Sequence, residues 1–297
     1  MTRPRPAPLG LALACPAVVA VCAVACDDGG ADAAGSCGPV ADVAVVEVED
    51  LDEASGLAAS AIHEAVLYAH NDAGDSARFF AFSVEGEALG SWDLAGAEAV
   101  DWEDMARGPC DSTGEGSCLY LGDIGDNDRS RSQYAVFRVE EPASLDAGSH
   151  TALHTRFAFS YPDGPHDAEA LVVDPATGQV TIITKEDPPV AYALPTPMTN
   201  TETMTAKLVG SLATAADDAL ITGADLRAGV LVVRTGNAIW SYEVAGSFAQ
   251  SITGTPTKLG TPDEAQGESV AWSSDGRALY TLSEGERPVL HRTACDL

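Results

Sequence analysis

Five phrases recur along the chain, each placing acidic or polar residues just ahead of a short apolar run. The richest is Asp101-Trp102-Glu103-Asp104-Met105, which leads to Leu119-Tyr120-Leu121 and ends in Gly122-Asp123-Ile124-Gly125-Asp126. Ser55-Gly56-Leu57 leads likewise to Val66-Leu67-Tyr68-Ala69-His70-Asn71-Asp72, and Asp167-Ala168-Glu169-Ala170-Leu171 to Val180 through Lys185. Gly223-Ala224-Asp225-Leu226 leads to Val230 through Arg234, and Gly267-Glu268-Ser269-Val270 to Ala278 through Glu284. Carboxylates without paired His or Cys are hard oxygen ligands, which favour calcium or magnesium over zinc. The candidate metal set is Asp72, Asp101, Glu103, Asp104, Asp123, Glu169, Asp225 and Glu268, with Ca2+ the expected ion. The competing reading is that these acids cap turns and accept backbone N–H groups, as Asp-x-Gly-Asp turns do. An EF-hand is excluded, because Asp126-Asn127-Asp128 is not followed by the required Gly and distal Glu.

Two histidines and two cations stand beside these acids. His70 ends the second apolar run of the first phrase, and His166 precedes Asp167 and Glu169. Each is a candidate general base or ligand, or a hydrogen-bonded rim residue. Lys185 and Arg234 end the second runs of the third and fourth phrases. They are candidates for binding an anionic substrate group, or for balancing the acids by ion pairing. The chain has no nucleophile elbow around Ser55 or Ser269, no P-loop and no dinucleotide fingerprint, which argues against a serine hydrolase.

The elements that must hold these residues follow from the repeat. A period of about 50 residues built from short strands predicts an all-β fold, a β-propeller of five blades. A sixth blade is the alternative if one lies within Glu141–Thr155 or Thr196–Leu220. Within a blade the first two strands are antiparallel neighbours on a short link, so the start of one and the end of the next share an edge. The first strand lines the channel, so the acids gather at one mouth. Val43–Val48 is strand-like but has no partner nearby, and the last blade is one strand short. Pairing the two closes the ring and removes two exposed edges.

The cysteines agree. The chain has seven, and Cys15 and Cys22 fall in an apolar leader behind Arg3 and Arg5, read as a signal peptide over residues 1–25. The run Ala23-Val24-Ala25-Cys26 resembles a bacterial lipobox, which would put lipid on Cys26 and tie the protein to a membrane. Cleavage without lipid is the alternative. Residues 26–40 read as a flexible tether and 41–297 as the propeller. Of the four remaining cysteines, Cys110 and Cys118 bracket one loop, which leaves Cys37 with Cys295 to clamp the ring. A zinc site is the rival, but no His is close to them in sequence. The expected location is extracytoplasmic, in the bacterial envelope or secreted. With 16 Lys and Arg against 45 Asp and Glu the formal charge is −29, which repels nucleic acid.

The phrases Ser55-Gly56-Leu57-Ala58, His70-Asn71-Asp72-Ala73-Gly74-Asp75, Asp101 through Ala106, Gly122 through Asn127, Tyr161 through Leu171 and Gln266 through Ala271 resemble a group of exported bacterial β-propeller proteins. The likeness spans nearly the whole mature chain and implies the fold without an activity. More distantly, the acid-before-inner-strand pattern is similar to β-propeller phytases and gluconolactonase-like propellers, which hold calcium on carboxylates at the channel mouth. That similarity points to Glu103, Glu169 and Glu268. Phytases also need many basic residues near the phosphate, and this chain has few. Two functions are therefore expected in competition. One is a lipid-anchored binding or scaffold module, its partner a small molecule or protein at the mouth. The other is a calcium-dependent hydrolase of small esters, lactones or phosphoesters.

Overall fold

The computed structural model describes residues 1–3, 36–111, 113–213, 220–264 and 266–296. Gly35–Leu297 forms one compact unit. The expected leader, Cys26 and most of the expected tether lie outside the described residues.

The unit is five sheets in chain order, each built on antiparallel strands. The first holds β2 (Ala54–Ala59), β3 (Val66–Asn71), β4 (Arg78–Ser83) and β5 (Ala88–Leu94). The second holds β6 (Trp102–Gly108), β7 (Cys118–Asp123), β8 (Tyr134–Glu140) and β10 (His154–Ser160). The third holds β11 (Ala168–Val173), β12 (Val180–Thr184), β13 (Val190–Ala193) and β15 (Lys207–Ser211), and the fourth β16 (Ile221–Arg227), β17 (Val230–Thr235), β18 (Ala238–Glu243) and β19 (Thr257–Leu259). The fifth holds β20 (Gly267–Trp272), β21 (Ala278–Ser283) and β22 (Val289–Asp296), and β1 (Ser36–Val45) completes it. The one helix among the described residues is a single turn, α1 (Phe248–Ser251).

Each blade is apolar on both faces, so its strands read as short unbroken apolar runs such as Ala-Leu-Val-Val in β11. Five buried clusters fill the seams between successive blades, and the seam of blade five with blade one closes the circle through Ala271, Leu282 and Leu290 against Leu57, Leu67 and Phe82. The inner strands β2, β6, β11, β16 and β20 contact one another in sequence, and β20 returns to β2.

Closure occurs as the sequence implied, with a shifted boundary. β1 pairs antiparallel with β22, from Cys37 opposite Cys295 to Val45 opposite Val289. The strand begins at Ser36, inside the stretch read as tether, and Val46 and Val48 leave it to enter the core. Disulfides join Cys37 to Cys295 and Cys110 to Cys118. The sixth-blade alternative fails among the described residues. Its first stretch supplies β9 (Ser149–Ala152), which adds parallel to β5 of blade one. Its second supplies β14 (Met204–Thr205), added parallel to β10 of blade two, and β15. β9 and β14 are strands lent across a seam, which covers a sheet edge, whereas β15 stays in blade three.

Candidate metal centre

The site is positioned by one device used five times. At the start of every inner strand the register with its neighbour slips by one residue, leaving Ser55, Glu103, Glu169, Thr222 and Glu268 as the extra residue of a β-bulge. A bulge bends its strand and re-aims the unpaired side chain. Two of the five serve the ring itself. The Ser55 hydroxyl donates to the carbonyl of Glu103, and the Thr222 hydroxyl to that of Gly267 at 2.9 Å. The other three are carboxylates.

Two residues before four of the bulges, a carbonyl accepts the N–H that follows the second strand. Glu53 takes Asp72, Asp101 takes Ile124, Asp167 takes Lys185 and Gln266 takes Glu284. These bonds tie the strand-end residues to the bulges. The result is two carboxylate triads, Asp72 with Asp101 and Glu103, and Glu103 with Asp167 and Glu169. In each, one oxygen per residue lies within 4.8 Å of the others, a spacing that could hold a metal ion.

Electrostatics follow from burial and crowding. Glu103 is 5% exposed, and no hydrogen bond or ion pair reaches its carboxylate among the described residues. Burial raises its pKa strongly, and Glu169, Asp72, Asp101 and Asp167 push it further. Burial raises Glu169 too, against the pull of the Lys185 ammonium paired with it. Asp101 is pushed up to about 6 by burial and by Asp72, and Glu268 to about 7 by burial and by Glu284. Gly125 lies against the first triad. A Cβ there would stand 2.2 Å from Glu103 Oε1 and 2.5 Å from Asp101 Oδ2.

Of the acids expected to ligate, Asp72, Asp101, Glu103 and Glu169 come together, and Glu268 lies close enough to Glu169 to raise its pKa. Asp104, Asp225 and Asp123 do not join the triads, and each is engaged elsewhere. Asp104 is sealed and accepts the N–H groups of Leu171 at 2.8 Å and Ala224 at 3.2 Å, linking three inner strands. Asp225 accepts from Trp272 and Leu226, each at 2.8 Å. Asp123 accepts Arg131 Nη2 at 2.8 Å and the Asp101 N–H at 3.1 Å.

The two histidines also lie outside the triads. His70 is fully buried, with Nδ1 on the Asn71 carbonyl at 2.8 Å and its ring edge-on to Trp102. Burial lowers its pKa, and without solvent access it cannot serve a substrate as base. His166 is the rim residue of the competing reading. Its nitrogens meet Glu186 at 3.0 Å and Asp163 at 3.2 Å, with the Tyr192 hydroxyl at 3.0 Å. Lys185 pairs with Glu169, and the buried Arg234 pairs with Glu264 and donates to the Ser269 carbonyl at 3.1 Å. Both cations are engaged by acids, the arrangement of the ion-pairing reading. Three residues went unread: Asp167, Gly125 and Glu284. Asp167 stands two before Glu169 just as Asp101 stands two before Glu103, and that shared offset was the available signal.

No protein-family model matches the chain, and no curated protein matches it. Solved structures do. The PQQ-bound aldose sugar dehydrogenase of Streptomyces coelicolor is 11% identical with a TM-score of 0.51, over 89% of this chain and 99% of that one. A protein assigned as a gluconolactonase is 10% identical at 0.47, over 87% of this chain and 92% of that one. A glucose dehydrogenase by assignment, from Thermus thermophilus, is also 10% identical at 0.47, over 86% and 99%. At 11% identity the likeness to the first of these is one of fold alone.

Proposed function

We propose that this chain is an exported β-propeller acting as a binding module, with a hard divalent cation, calcium first, held over one mouth of its channel. The observation that carries this is Glu103, buried, without a partner, and common to both triads. Such a carboxylate is comfortable in its charged form only beside positive charge. The nearest ammonium, Lys185, already meets Glu169. The five triad residues offer oxygen alone, the donor set that calcium takes in sixes to eights. Waters and a small molecule or protein partner would complete the coordination. Two disulfides suit an oxidising compartment. Among the described residues no helix is long and apolar enough to cross a membrane. Envelope attachment in this reading rests on the lipobox-like run that ends in Cys26.

The second reading, calcium-dependent hydrolysis of small esters, lactones or phosphoesters, rests on Glu268. A carboxyl pushed up to about 7 by burial beside the triads is suited to moving a proton near neutrality. A bound cation would supply polarisation of the carbonyl or phosphoryl oxygen. The test is thermal melting in EDTA and in calcium, followed by turnover assays on these substrates. Calcium-dependent melting without turnover supports the module. Turnover that Glu268→Gln abolishes, while calcium still raises the melting temperature, supports the hydrolase. A melting temperature that neither EDTA nor calcium moves overturns both.

A further inference from the structure

We infer that the mouth holds two cations side by side, with Glu103 as the carboxylate shared between them. This rests on the cation site proposed above and goes beyond it in number and arrangement. The two triads meet at one residue. Asp72 and Asp101 belong to the first, Asp167 and Glu169 to the second, and Glu103 to both. A carboxylate has two oxygens and can bridge ions about 3.5–4 Å apart.

A second observation, separate from the number of acids, singles out the same residue. Each buried acid near Glu103 has a partner of its own. Asp167 accepts the Asp126 N–H at 2.8 Å, and Glu169 meets Lys185. Asp104 and Asp123 are held by backbone and arginine donors. Among the described residues Glu103 is the one buried acid whose carboxylate has neither hydrogen bond nor ion pair. The fold therefore leaves bare the group that both triads share. Charge points the same way. The five carboxylates outnumber the cations that act on them, Lys185 and Arg131, and bound cations relieve that excess. Gly125 keeps space at the shared edge, where any Cβ would press on oxygens of both Glu103 and Asp101.

The experiment is metal stoichiometry on the purified chain, stripped with EDTA and dialysed against calcium chloride. Two calcium ions per chain are expected. With manganese as the probe, the paramagnetic resonance spectrum should show exchange coupling between neighbouring ions. Asp72→Asn, a change in the first triad alone and on a half-exposed rim residue, should leave one ion and abolish the coupling. Glu103→Gln, checked by circular dichroism to be folded, should weaken binding of both ions by about ten-fold or more. One ion per wild-type chain, two uncoupled manganese ions, or two ions retained in Asp72→Asn would overturn the pair and leave the single-cation reading standing. No bound ion would overturn that reading as well.

Discussion

Glu103 and Asp104 are consecutive, acidic and buried, yet the structure gives them opposite work. Asp104 is satisfied three times over by backbone donors, on Met105, Leu171 and Ala224. Asp104→Ala would strand N–H groups of two neighbouring blades, at about 1–3 kcal/mol each. Denaturant unfolding should therefore show a loss of about 2–5 kcal/mol, with the calcium-induced rise in melting temperature retained. Glu103 has no donors and sits among like charges. Glu103→Gln removes a charge that metal-free protein accommodates poorly, so in EDTA the variant should be at least as stable as wild type, by up to about 1–2 kcal/mol. In calcium the order should reverse, since the variant forfeits the ligand-linked gain. Neighbouring substitutions of opposite sign in EDTA are the outcome expected; a shared loss would mean that Glu103 too is a structural acid.

The elements explain how much of this could be read beforehand. Blade number, ring closure and both disulfides were legible, because strand-length apolar runs, turn residues and cysteine spacing are local or end-to-end patterns. The borrowed strands β9 and β14 were not, since four and two residues pairing parallel across a seam carry no periodicity of their own. The division of the acids was only half legible. Alternation along a strand sends neighbours to opposite faces, but it cannot say which neighbour faces the channel once a bulge has slipped the register. That slip separates Glu103 from Asp104. Gly125 was equally hidden, because its role is defined by carboxylates from another strand. Gly125→Ala puts a methyl within 2.2 Å of Glu103 Oε1, so the loop or the triad must shift. A stability loss of about 1–3 kcal/mol is expected, together with a calcium response in melting that is reduced or lost.

At the scale of the whole molecule, the crowded mouth sets how stability depends on pH. The folded-state pKa values of Asp101, Glu268, Glu169 and Glu103 all lie above the ordinary carboxylate values of 3.8 and 4.5. On these four groups the folded chain binds more protons than the unfolded chain between about 4.5 and 8, opposed by the single His70, whose pKa is lowered. Stability must fall as pH rises through that window in EDTA, by about 1 kcal/mol or more, and calcium should flatten the slope. Melting curves at pH 5 and pH 8 would check this.

Against that electrostatic cost stands the closure of the ring. Cys37 and Cys295 are 258 residues apart, whereas Cys110 and Cys118 are 8 apart. On the chain-entropy account a link across nearly the whole domain restricts the unfolded state by about 5 kcal/mol, and the short one by about half that. The long link also pins β1, whose pairing with β22 covers an edge and delivers Val46 and Val48 to the seam of blades five and one. Cys37→Ser with Cys295→Ser should thus lower the unfolding free energy by about 3–5 kcal/mol, against about 1–3 kcal/mol for Cys110→Ser with Cys118→Ser. Calcium binding should survive both, since neither bridge touches the triads. Urea titrations of the two double variants decide it. If the local bridge proves the costlier to lose, the ring is held by strand pairing and seam packing, and the clamp contributes little.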